Sequence, residues 1–230
     1  MNRTTITQLI GIAALLVAAT VLIAASNVDM KVTTFFYVPG TGFPYGDLQP
    51  GYSLYRYGVW PAYLLAAVAL LVICYSFILP GAMPYRKPAL FCVLLLALGP
   101  GLVINTIFKD HWGRPRPRQV AEFGGSQQFH QPWQKGGLTE CKSFPCGHAS
   151  AAFYLMAPYF VLRRIGRRRA RAWLILGIVY GTLMSAERIA QGGHFVSDVL
   201  WSGGIVYLTG LVLAAAMRLD TEREAVPARN

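Results

Sequence analysis

Lys109-Asp-His-Trp-Gly-Arg-Pro-Arg-Pro117 decides how this chain folds, because it sets three cations and a histidine directly after residues 88–108, a run long and apolar enough to cross a bilayer. Gly113, Pro115 and Pro117 keep the helix from continuing and turn the next residues into a loop whose cations can converge. Cations gathered at the mouth of a membrane helix have to meet something anionic, so the stretch reads as half of a phosphate site.

Composition agrees with a membrane location. In 230 residues, 54% are hydrophobic and 13% charged, a balance that excludes an ordinary soluble domain. The net charge of +11 admits nucleic acid, anionic lipid or topology signals as its cause. Position decides, since the densest run, Arg163-Arg164-Ile-Gly-Arg167-Arg168-Arg169-Ala-Arg171, lies between two apolar segments, where it reads as a cytoplasmic loop and not as a nucleic-acid site. Four cysteines are too few for a disulfide scaffold. Cys74 and Cys92 fall in apolar segments as small hydrophobes; Cys141 and Cys146 fall in one polar loop, where a short disulfide is chemically permitted but not required.

The apolar pattern predicts an all-α polytopic membrane protein, a single domain over 1–230, with six spans at 7–25, 60–79, 88–108, 147–162, 173–187 and 195–217. The first span follows Arg3. Its apolar core exceeds the roughly 7–15 residues of a signal peptide, which favours a retained anchor, while the small residues 24–26 leave cleavage open. Residues 26–59 are rich in Gly, Pro and aromatics and read as an interfacial loop, an anchor or a lid. The tail 218–230 is expected to be charged and disordered at its end. Alternating the spans puts twelve Lys and Arg on the side of the termini and nine on the other. Seven of those nine, six in the loop 109–146 plus Arg188, have a chemical reason to be there. Both termini are therefore expected in the cytoplasm, with 26–59, 109–146 and 188–194 on the far side.

That orientation brings three polar stretches to one face. Pro145-Cys-Gly-His148 enters the fourth span, and Glu187-Arg188 with Gln191-Gly-Gly-His-Phe-Val-Ser-Asp198 joins the fifth to the sixth. His194 and Asp198 are four apart, so on a helix the carboxylate can hold one imidazole nitrogen and leave the other as a nucleophile. Gly147 and His148 open a helix, where free backbone N–H groups favour an anion, and His148 is placed to protonate a departing oxygen. Lys109, Arg116 and Arg188 supply charge to phosphoryl oxygens, with Cys146 and Gly147 beside them. Arg114, Arg118 and His111 are candidates for further headgroup contact. Each residue also has a plain reading: a single histidine near a membrane surface is commonly a packing residue, and interfacial Arg and Lys commonly reach for headgroups. Zinc on His111, His148 and His194 lacks the paired Cys/His spacing such sites use, so no metal is assigned.

Lys109, then six residues, then Arg116-Pro117; Pro145-Cys146-Gly147-His148; and Arg188 with His194 and Asp198 resemble, in order, the three signatures of the type 2 phosphatidic acid phosphatase superfamily, which includes the vanadium haloperoxidases. The resemblance implies a six-helix membrane phosphatase independent of metal or other cofactor, in which His194 forms a phosphohistidine and His148 protonates the leaving group. Cys146 and Glu187 depart from the pattern, which usually carries serine at both places; a thiol is the weaker donor, so its contact with phosphate is in doubt. Residues 99–105, 108–117, Glu122-Phe-Gly-Gly125 with Phe129 and Pro132, and 191–198 together look like the lipid A 4′-phosphatases of Gram-negative inner membranes.

The expected activity is therefore removal of a phosphate monoester from a lipid on the periplasmic leaflet of the inner membrane, the 4′-phosphate of lipid A before others, with no obligate protein partner. Alternatives are the same chemistry on undecaprenyl pyrophosphate or phosphatidylglycerophosphate, or transfer of phosphate to a lipid hydroxyl. A non-enzymatic transporter or scaffold would place its polar groups at the bilayer midplane, whereas these lie at one edge.

Overall fold

A computed structural model, in which residues 3–137 and 140–219 are described, resolves the apolar pattern into helices. They are α1 (Arg3–Ala25), α2 (Val28–Phe36), α3 (Gly51–Tyr57), α4 (Trp60–Tyr75), α5 (Arg86–Leu96), a π-helical stretch (Ala97–Phe108) that runs into the short α6 (Lys109–His111), α7 (Gly147–Phe153), α8 (Ala157–Leu162), α9 (Arg167–Ala190) and α10 (Val196–Ala216). The expectation about the end of the tail falls on 220–230, outside the described residues.

Five stretches among the described residues are long and apolar enough to cross a bilayer: Arg3–Ala25, Gly51–Tyr75, Pro80–His111, Arg167–Ala190 and Val196–Ala216. The fourth expected span, 147–162, is helical but broken by a 3-10 turn at Tyr154–Met156. Pro158, in the first turn of α8, has no N–H to continue the ladder there. This rod is the central one. Tyr154 and Ala157 are fully buried and Phe160 nearly so, whereas Ile10, Leu15, Leu22, Leu64 and Leu71 on α1 and α4 are exposed, as a lipid-facing surface requires.

Two further expectations are corrected. The fifth span begins at Arg167 and not 173, and it continues past Glu187 to Ala190, so Arg188 stands on its last turn instead of in a loop 188–194. Arg and Ala are strong helix formers, and the run 167–172 extends the helix outside its apolar part. Residues 26–59 are likewise not a plain loop: α2 and α3 lie within them, and Asp29 on α2 is buried.

Lipid tails are as apolar as leucine, so helices in a bilayer are held by close packing and buried polar contacts more than by expulsion of water. Gly181 shows the requirement. A Cβ there would lie 2.1 Å from the ring of Phe153, and one at Gly177 would lie 2.5 Å from the backbone of Met156. These glycines let α9 close on α7 and the 3-10 turn, which carries the end of α9 to the start of α7.

Candidate active site

Lys109 is aimed by the π-helix before it. Pro100 lacks an N–H, and the wide turns are closed by bonds spanning five residues: Asn105 Nδ2 donates to the Pro100 carbonyl at 2.7 Å and the Lys109 N–H bonds to the Ile104 carbonyl. Lys109 Nζ then reaches Asn105 Oδ1 at 3.5 Å. Facing them is Gly147, where a Cβ would meet Asn105 Oδ1 at 2.5 Å and Lys109 Nζ at 3.2 Å, so only glycine lets the lysine approach the start of α7.

Cys146 caps α7, its sulfur accepting from the Ala149 N–H at 3.4 Å and its own N–H donating to Ser202 Oγ at 2.8 Å. The first N–H groups of a helix have no partner within it, which leaves those of Gly147 and His148 available. All four cysteines are free thiols, so no disulfide joins Cys141 to Cys146.

His194, 1% exposed, is held by an acceptor that sequence spacing did not reveal. Its Nδ1 lies 2.6 Å from the backbone carbonyl of Ser143. A carbonyl cannot donate, so Nδ1 carries the proton and Nε2 of the neutral ring keeps its lone pair. Asp198 is 3.7 Å from the same nitrogen. Its Oδ2 accepts from Ser143 Oγ at 2.6 Å and from the Phe195 N–H at 2.8 Å, so it orients the histidine largely by fixing the Ser143 turn.

Arg114 corrects the expectation of a headgroup contact. It is fully buried, with Nη1 2.5 Å from Asp198 Oδ1 and 2.8 Å from Ser197 Oγ, Nη2 2.9 Å from Asp29 Oδ2, and Nε 2.8 Å from the His130 carbonyl. The rings of Phe195 and Phe129 cover it at 4.6 and 5.5 Å. Asp29 also accepts from the Ser197 N–H at 2.9 Å, so one arginine joins α2, the 109–146 loop and α10 beneath the site. His111 is exposed, its Nδ1 placed 2.9 Å from the Ile107 carbonyl. It caps the helix end and lines neither cavity of the site.

The remaining cations gather around His148. Arg188 is buried over the ring of Tyr55 at 4.5 Å, with Nη1 bonded to Gln191 Oε1. Tyr55 also packs on His148, ring centres 5.1 Å apart. His148 lies within electrostatic reach of Arg188, Lys109, His194 and Arg116 together. Among the described residues the buried Nε groups of Arg116 and Arg188 have no hydrogen-bond partner. Unpaired buried donors of this kind are costly, which marks them as waiting for an acceptor. Burial and then the neighbouring Arg118 and Arg188 push the Arg116 guanidinium below its usual range.

Cys146 and His194 face each other. Burial raises the thiol, but the His194 and Arg188 charges outweigh it and leave Cys146 at about 7. Burial opposes charge on His194, and the Cys146 sulfur followed by Asp198 reverses that and raises it.

Two cavities open beside this cluster, lined by its cations and His148, while His194 and Cys146 lie buried behind them and line neither. One of about 270 Å³ holds Lys109, Gly147 and His148 and is walled by Val59, Tyr63 and Leu96. The other, about 570 Å³, has Arg116, Arg118 and Arg188 along it, with Tyr55 on its wall. The first sets Lys109 and the start of α7 beside an apolar wall, and the second supplies the arginines, a division that suits a phosphate carried on a lipid.

Fold and site define the class: the sequence matches the PAP2 superfamily over residues 89–222, and the chain belongs to that superfamily. It is 38% identical over 159 residues, 69% of this chain and 71% of the relative, to the lipid A 4′-phosphatase of Francisella tularensis subsp. novicida. To the lipid A 4′-phosphatase of Rhizobium leguminosarum it is 32% identical over 80% of this chain and 77% of the relative. The phosphatidylglycerophosphatase B of Bacillus subtilis is more distant, 29% identical over 60% of this chain and 64% of the relative. No solved structure matches the chain. The chain is a membrane lipid phosphatase, a phosphoric monoester hydrolase.

Ser143, Asp29 and Ser202 were absent from the sequence reading, and Ser197, Asn105, Tyr55 and Gln191 stood in it without a role of their own. Only Asn105 left a signal, as a lone amide in the apolar run before Lys109.

Proposed function

We propose that this phosphatase removes the 4′-phosphate of lipid A on the periplasmic leaflet of the inner membrane, through a phosphohistidine at His194. The observation that carries the reading is the Ser143 carbonyl on Nδ1 of His194, which leaves Nε2 as a lone pair among cations whose own donors are unpaired. Nε2 attacks phosphorus while Lys109, Arg116, Arg188 and the first N–H groups of α7 take the charge of the phosphoryl oxygens. The phosphorus–oxygen bond to the sugar breaks, and His148 gives its proton to the departing oxygen. Water then attacks the phosphohistidine, His148 takes a proton from it, and inorganic phosphate leaves as the phosphorus–nitrogen bond breaks.

The substrate assignment is supported by the two relatives named lipid A 4′-phosphatases, which cover most of the chain. Phosphatidylglycerophosphate is the second reading, favoured by the Bacillus relative. Purified protein incubated with lipid A is expected to yield product one phosphate lighter at the 4′ position, with stoichiometric inorganic phosphate. Product lacking the 1-phosphate instead, or hydrolysis confined to glycerophospholipids, would reject the substrate.

A further inference from the structure

The larger cavity has more polar and aromatic lining than a phosphate needs. Resting on the phosphatase mechanism proposed for His194, we propose that it is a carbohydrate subsite, which takes a sugar ring of the headgroup and uses Asp47 and Arg118 to choose substrates that carry one.

Its position follows from Arg116 and Arg188, which line it and also stand at the phosphoryl group, so a headgroup joined to that phosphate enters it. Its volume of about 570 Å³ lies within the ~300–1,000 Å³ typical of small-ligand sites. Phe43 and Phe123 in its wall are 6.0 Å apart in an edge contact, and Tyr37 packs behind both at 5.5 and 5.4 Å. Phe123 is buried behind, and Phe43, half-buried, is the ring left to offer a flat apolar surface to the C–H face of a sugar. Asp47 and Arg118 are exposed on the same cavity. Among the described residues neither side chain has an ion pair or hydrogen bond, so a carboxylate and a guanidinium are free for hydroxyl and amide groups. A glycerol headgroup presents too few of these to engage both.

The rim is built in advance. Gln191 Nε2 donates to the Gly46 carbonyl at 3.2 Å and to Glu187 Oε1 at 2.8 Å, which pins the turn Pro44–Asp47 to the end of α9. The turn touches Gln191 so closely that a Cβ at Gly46 would lie 2.3 Å from Gln191 Cγ. On the other side the Arg118 N–H donates to the Gly192 carbonyl at 3.1 Å. Glu187, where the superfamily pattern usually carries serine, thus holds the glutamine that holds the rim. Phe43 and Asp47 also lie upstream of residues 89–222, outside the superfamily match, where substrate choice can vary while the chemistry is kept.

The test compares kcat/KM for lipid A and for dioleoyl phosphatidic acid in the full-length protein and in Asp47→Ala and Arg118→Ala. The ratio of the two is expected to fall about tenfold in each variant, through KM for lipid A, as loss of a charge-assisted hydrogen bond requires. Equal loss on both substrates, or no loss on either, overturns the subsite. Binding of glucosamine 6-phosphate against glycerol 3-phosphate separates this proposal from the substrate assignment. Preference for the sugar phosphate that Asp47→Ala abolishes supports the subsite even if lipid A is not cleaved, and equal binding rejects it.

Discussion

Arg114 and Arg116 are two residues apart and have opposite fates. Arg114 satisfies its donors on Asp29, Asp198, Ser197 and a carbonyl, while Arg116 keeps a buried Nε unpaired. Removing Arg114 leaves two buried carboxylates without their cation, which costs about 3–5 kcal/mol. Arg114→Met is expected to lower the thermal unfolding temperature in detergent sharply, whereas the exposed Arg118→Ala should move stability by less than about 0.5 kcal/mol. Arg116→Ala should instead leave unfolding nearly unchanged and cost about 2.7–4 kcal/mol of barrier, roughly 10²–10³ in kcat. The sequence reading set Arg116 on the phosphate and Arg114 at the headgroup, and could not show that Arg114 is buried, because Asp29, the partner that buries it, lies 85 residues away in a segment without a motif.

Cys146 belongs to the same scale. Burial works against charge on His194, and the facing sulfur is the strongest of the influences that raise it. A histidine raised in this way is protonated, and so useless as a nucleophile, over more of the acid range. The acid limb of kcat/KM against pH should therefore sit above the ordinary histidine range. Cys146→Ser removes the thiolate and should move that limb to lower pH while the rate at high pH stays within a few-fold. A limb that does not move would show that the sulfur does not set the charge of the ring.

Among the elements, the π-helix and α9 place the site. The spacing of Lys109 and Arg116, of His194 and Asp198, and the Cys-Gly-His entry to α7 are local patterns, and these were legible. The features that were not legible depend on approach between elements: Arg114 meets Asp29 across 85 residues, and the Ser143 carbonyl on His194 is a backbone contact between residues 51 apart. The break in the central rod was equally hidden, since its apolar run reads as one span. Gly181→Leu drives a side chain into Phe153 and is expected to separate α9 from α7. Overpacking of this kind costs about 1–3 kcal/mol. Reduced thermal stability together with lost turnover, with circular dichroism still helical, is the expected result; full activity would mean the helices need not touch there.

For the whole molecule, the three stretches, α2, α3 and the 109–146 loop gather at one end of the bundle, and the arginine run 163–171 covers the turn after α8 and the start of α9, at the opposite end of α9 from Arg188. The proposed orientation puts that run in the cytoplasm. A membrane-impermeant maleimide should therefore label Ser126→Cys in intact spheroplasts and reach Ile165→Cys only after permeabilisation; the reverse pattern would turn the site inward and remove it from a periplasmic substrate.

The central claim is that the ring at His194 becomes phosphorylated, and it is tested most directly by trapping that species. Protein mixed with ³²P-labelled lipid substrate and quenched in alkali should carry acid-labile label on the peptide containing His194, and His194→Gln should show neither label nor phosphate release. Phosphate release that survives in His194→Gln, or label found on another residue, would contradict the account.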